Sequence, residues 1–187
     1  MGKMDLVALV VTREQHRELE LAKLTAVTPK ELVEDVMAIR ARDLFILVGI
    51  LISQFGKEKA KELIQKAQYP VYLKRGKEAA EKAGHPKDID GYIEANTIGL
   101  LSKIHSAPLP EIIERTKNRY VFRCTKCYQA ESLLKHGAGD PEILEVVKYC
   151  CPNDTAWANG FNPSMKFERT KFLLDGDDYC EFLAEVE

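Results

Sequence analysis

The chain has 187 residues, 45% of them hydrophobic and 30% charged, with a formal charge of 27 − 29 = −2. That composition excludes global disorder, and a pI near 6.1 excludes bulk attraction to nucleic acid or to an anionic membrane. The length is that of one domain at roughly 150 residues per domain, and five cysteines, an odd and modest number, argue against a disulfide framework.

The apolar stretch at 6–11 is too short for a secretory core and has no small-residue cleavage pattern after it. The longest apolar run, the nine residues 44–52, is far below the roughly 20 that span a bilayer. A cytoplasmic protein with reduced thiols and no membrane anchor is the expectation. Residues 12–24 are charge-rich, which predicts an exposed or partner-covered helix and makes a homodimer a candidate assembly. Thr28-Pro29-Lys30-Glu31 is a helix start, with Thr28 as cap, Pro29 at the first helical position and Glu31 complementing the positive end. The helix runs to Gly56, and its second half, apolar almost all round, belongs in the middle of the core.

Residues 57–67 form an amphipathic surface helix that Pro70 breaks; a shorter helix follows over 75–83 and ends at Gly84. His85-Pro86 is a loop. Asp88 or Asp90 caps a helix carrying Ile93, Ile98, Leu100, Leu101 and Ile104, and Ala107-Pro108-Leu109-Pro110 stops it. The remainder changes character. Residues 119–124 alternate and are rich in β-formers, a strand; 128–136 and 141–151 are helical; Pro152-Asn153-Asp154 starts a short helix leading to Gly160. Two alternating runs, 165–174 and 179–186, flank an Asp-Gly turn and predict an antiparallel hairpin, one face of which can line a polar cavity. The fold class is α+β: one domain over 1–187, with a helical part (1–107) packed on an α+β part (108–187).

The cysteines all fall in the second part: Cys124-Thr125-Lys126-Cys127, then Cys150-Cys151 after a 22-residue gap, then Cys180. A CxxC is a common zinc half-site, but the adjacent pair Cys150-Cys151 diverges by roughly 100° on a helix, which disfavours a four-cysteine ribbon. A set of Cys127, Cys151 and Cys180, with Cys124 in reserve, is a candidate for zinc or another thiolate-bound metal. The competing reading makes each thiol a small buried hydrophobe. Asp154 is either a helix cap or a carboxylate presented as general base. Arg169 has the planar fork for a substrate carboxylate if it points inward. Trp157, with Phe161, packs a core or walls a pocket. His136 falls in the last turn of a helix, where a cation is favoured.

From Cys127 onward the motifs Cys127-Tyr128, Cys151-Pro152-Asn153-Asp154, Gly160-Phe161-Asn162-Pro163, Phe167-Glu168-Arg169-Thr170 and Gly176-Asp177-Asp178-Tyr179-Cys180-Glu181-Phe182 resemble the L-2-amino-thiazoline-4-carboxylic acid hydrolase family. The hairpin is also similar to 4-vinyl-reductase-type ligand-binding domains, which share an α+β fold with haem-based nitric oxide sensors and a vesicle-tethering subunit. The first resemblance implies hydrolysis of a small cyclic C–N substrate, an amidine or thiazoline carboxylate. Asp154, Cys151 and Cys127 would then be catalytic, and Arg169 and Trp157 would bind substrate. The second implies a small-molecule or metal-binding sensor without turnover. Positions matching the hydrolase family are Cys127, Cys151, Asp154, Arg169, Gly176 and Cys180; Cys124 and Cys150 are additions in this chain.

Overall fold

The computed structural model describes residues 28–83, 87–102 and 110–187. The helix expected over 12–24, Gly84, the His85-Pro86 loop, Ile104 and the stop at 107–109 lie outside the described residues.

Helix α1 (Pro29–Phe55) starts as its sequence requires. The Thr28 hydroxyl accepts from the Glu31 backbone N–H at 3.3 Å, and the Glu31 carboxylate accepts from the Thr28 N–H at 2.8 Å, a reciprocal capping box. It ends at Gly56, whose φ of 77° is open to glycine, and whose N–H donates to the Ile52 carbonyl. Its second half is not in the middle of the core. Met37, Ala41 and Val48 are buried, but Ile46, Leu47 and Ile50 are 57%, 58% and 53% exposed. Among the described residues the packed elements cover one side of α1, and the apolar residues on its other side stay exposed.

Helix α2 (Lys57–Ala83) passes through Pro70 without a break. Pro70 and Lys66, whose carbonyl loses its helical donor, are both exposed, so water can replace that bond. The helix is held on either side of the proline by Ala60 and Ile64 and by Gly76 and Ala80, all buried. Helix α3 (Ile89–Ser102) is capped by Asp88, whose Oδ1 accepts from the Gly91 N–H at 2.9 Å. Asp90, the other candidate cap, instead pairs with Arg115 at 2.7 Å.

The sheet has four antiparallel strands: β1 (Glu111–Arg115), β2 (Arg119–Cys124), β3 (Lys166–Lys171) and β4 (Cys180–Glu185), in the order β1-β2-β4-β3. Strand β1 has no alternating signal in the sequence. It is an edge strand with Ile112 and Ile113 both exposed, and its register shifts between Ile112 and Glu114. Between β2 and β3 come α4 (Tyr128–Gly137), α5 (Pro141–Val147), a 3₁₀ turn (Lys148–Cys150) and α6 (Asp154–Phe161). Strand β3 stops at Lys171, earlier than the alternation through Leu174 implies. There the chain tightens into a 3₁₀ turn (Leu173–Asp175) that closes on Gly176 at φ 95°.

One face of the sheet buries Tyr120, Phe122, Phe167, Phe182 and Ala184 in a cluster shared with Ile89 and Tyr92 of α3 and with Trp157 and Phe161 of α6. The other face carries ion pairs, among them Arg119 with Glu114 and Glu185, and Arg123 with Glu181. A second cluster joins Val48 of α1 and Ile64 of α2 to Leu133 of α4 and Val146 of α5. Phe172 and Leu173 pack against both. The tightest joint is the crossing of α2 and α6. A Cβ on Gly76 would collide with the Trp157 carbonyl oxygen, and one on Gly160 with that of Leu73. Only two glycines let the backbones meet this closely.

Candidate functional site

The start of α6 builds the site. Asn153 is the N-cap, its Oδ1 accepting from the Ala156 N–H at 2.9 Å. Asp154 is therefore relieved of that duty. Its carboxylate pairs with Arg169 of β3, Oδ2 to Nη2 at 2.7 Å, with both side chains partly buried. The same Nη2 donates to the Pro152 carbonyl at 3.3 Å. Arg169 thus points inward. Its guanidinium lies over Phe172 and Phe182, 4.3 and 5.3 Å from the ring centres, a placement that suits a weakly hydrated planar cation. Its Nε is buried without a partner.

The pair stands in a wall between two cavities. Outside is a polar cleft of about 300 Å³, bordered by Gln65, Gln68, Asn153 and Thr155. Inside is an apolar chamber of about 110 Å³, bordered by Tyr92, Phe122, Trp157 and Phe182. Cys151, Asp154, Phe167, Arg169 and Phe172 line both. Trp157 is 9% exposed, stacks on Phe161 at 5.9 Å and meets Tyr92 edge-on at 5.4 Å. It is both core and pocket wall.

Four of the five thiols reach the chamber: Cys124, Cys127, Cys151 and Cys180. Cys124 and Cys180 face each other across β2 and β4. Cys180 Sγ accepts from the Leu173 N–H at 3.4 Å. Cys150 diverges from its neighbour, as adjacent residues on a turn must, and joins the second core cluster. Burial pushes Cys124 up to about 12 and Cys151 higher still, although Arg169 draws both back. It also raises Cys127 and Cys180. A metal ligand or a sulfur nucleophile acts as a thiolate, and burial opposes that form at each of these positions. Among the described residues no three His, Cys, Asp or Glu side chains are grouped to hold a metal ion. Cys127, Cys151 and Cys180 all line this one chamber.

The matching family model, described as L-2-amino-thiazoline-4-carboxylic acid hydrolase, spans residues 37–183. The chain belongs to that family. The family's span takes in α2, the sheet up to residue 183 in β4 and every residue of the two cavities named above. No curated protein sequence matches the chain. Among solved structures it is similar to the phenol-responsive sensory domain of the transcription activator PoxR, crystallised with phenol. The TM-score is 0.52 at 13% identity, over 78% of this chain and 74% of that one, a likeness of fold. Among the described residues no helix is long and apolar enough to cross a membrane.

All the residues marked from sequence, Asp154, Arg169, Trp157 and the four thiols, border this one family-spanned region. Sequence reasoning missed Gln129, Tyr92, Phe172 and Phe182. The aromatics read as ordinary core positions. Gln129 is a polar residue on a helix whose inward face only the packing reveals.

Proposed function

We propose that the protein is a hydrolase that opens a small cyclic amidine bearing a carboxylate, a thiazoline or a close relative of one. The observation that carries this reading is the Asp154–Arg169 pair, set in the wall between a polar cleft and an apolar chamber. Family membership supports the reaction class. Ring faces pack against Trp157 and Phe182, and Arg169 holds the substrate carboxylate. Asp154 orients a water arriving from the cleft and takes its proton as the oxygen adds to the amidine carbon C2. The C2–S bond then breaks. The water oxygen becomes the carbamoyl carbonyl, and the two water protons end on the ring nitrogen and on the departing sulfur. Cys151 and Cys127 as buried thiols serve this scheme as chamber walls. A thiolate nucleophile at either position would first need to lose a proton that burial makes hard to remove.

The test is turnover of 2-amino-thiazoline-4-carboxylate, followed by appearance of N-carbamoyl-cysteine. Asp154→Asn should lower kcat by about 10²–10⁴-fold while losing some stability, since Arg169 gives up its charged partner, and Cys151→Ala should retain most of the activity. Full activity in Asp154→Asn would sink the general-base role, and loss of activity in Cys151→Ala would restore the nucleophile. A second reading rests on the aromatic chamber together with the fold likeness to a phenol-responsive sensor: capture of a small ring without chemistry. Saturable binding of the thiazoline with no product formed would favour it.

A further inference from the structure

Gln129 has no place in the scheme above, yet it is the most unusual side chain in the chamber. It sits in the first turn of α4 and is 2% exposed. Glutamine is seldom buried, because each polar atom withdrawn from water costs free energy unless it finds a partner. Its Nε2 donates only to Cys151 Sγ, at 3.9 Å, a long contact to a weak acceptor. Its Oε1 is buried with no partner at all. One other buried side-chain polar atom among the described residues shares that state, Arg169 Nε, and both residues border the same chamber. One is an acceptor and the other a donor. Apart from Asp154, Asn96 and the four thiols, the rest of the lining is aromatic and apolar, and the volume of about 110 Å³ is somewhat below the roughly 150 Å³ of an engineered cavity that takes up benzene.

We propose that Gln129 is a specificity-determining residue, whose Oε1 accepts a hydrogen bond from an exocyclic N–H of a single-ring ligand while Arg169 Nε donates to an acceptor on that ligand. The ligand class is a planar five- or six-membered ring with an amino group and a carboxylate. The inference rests on the hydrolase reading of the site and deepens it by naming the atom that distinguishes an amino-substituted ring from its alkyl counterpart. A site built to bond an N–H rejects the analogue lacking it, because Oε1 then stays buried and unpaired.

Two probes of equal shape that cannot be hydrolysed test this: 2-aminothiazole-4-carboxylate and 2-methylthiazole-4-carboxylate, titrated calorimetrically into the intact protein. The wild type should bind the amino probe at least about ten-fold more tightly, the scale of one buried hydrogen bond. Gln129→Met, of similar volume, should bring the two affinities within about two-fold by weakening the amino probe. It should also raise the ligand-free Tm by about 2–4 °C, since it removes the orphaned acceptor. Equal binding of both probes by the wild type overturns the role of Gln129 and leaves the site standing, an outcome that needs no variant to fold. A preference that survives Gln129→Met overturns it as well. If neither probe binds the wild type, the hydrolase reading fails and this inference fails with it.

Discussion

The region around α6, rich in aromatics, and the region around α1, built mainly from aliphatic residues, pack differently. In the first, Gly76 and Gly160 lock two helix backbones together, and Tyr92, Trp157, Phe161 and Phe182 fill the space above the sheet. In the second, α1 lends one stripe to the core and leaves Leu32, Ile39, Ile46, Leu47 and Ile50 more than half exposed. Close fit is therefore concentrated where a cavity has to be enclosed. Side chains that wall a cavity need neighbours on every side, while a helix at the margin needs them on only one.

The sharpest way to break this contrast is a single methyl group. Gly76→Ala places a Cβ against the Trp157 carbonyl, an atom of the backbone that cannot rotate aside. It should cost about 3 kcal/mol or more in urea unfolding, and a loss under about 1 kcal/mol would mean that the two backbones do not meet this closely. The buried thiols give a second, intermediate comparison. Cys124 in the site cluster is pushed by burial from an ordinary 9 up to about 12, and Cys150 in the α1 cluster to about 11. Folding therefore holds these protons more tightly than the unfolded chain does. The stability this provides is complete below pH about 9 and is lost as the pH rises toward 11 for Cys150 and 12 for Cys124, by up to about 1.4 kcal/mol per pH unit for each thiol. Urea midpoints between pH 8 and 10.5 should fall in the wild type and fall less steeply in Cys124→Ala and Cys150→Ala. The smallest effect belongs to the exposed stripe: Ile46→Glu should change the unfolding free energy by less than about 0.5 kcal/mol. A homodimer through α1 would announce itself as a much larger loss that depends on protein concentration.

Much of the candidate site was legible, because its lining includes uncommon residues. The crowding of all five cysteines after residue 123 marked the region, and the motif from Cys151 to Asp154 marked the turn where α6 begins. What a thiol does there was not legible, since its state depends on burial, and burial is a property of the assembled neighbours. The same holds for Asp154. Cap and free carboxylate look alike in sequence, and only the bond from the Ala156 N–H to Asn153 shows which residue caps. Gln129 gave no signal, because a glutamine in the first turn of a helix is ordinary until its side chain is seen to be enclosed.

Elements with local causes could be read from the amino acids alone. Thr28 and Glu31 close a capping box within four residues, Gly56 supplies a backbone angle other residues avoid, and the alternation over 119–124 and around Gly176 sets strands and turn. Other features exist only in the assembled fold. Packing carries α2 through Pro70, recruits β1 as an edge without a pattern, turns α1 half outward, and brings Arg169 to Asp154 across fifteen positions of chain. The reason is one of range: capping and turn geometry are settled by bonds between near neighbours, whereas burial, pairing and the worth of a polar atom are settled by whatever the whole fold places beside it.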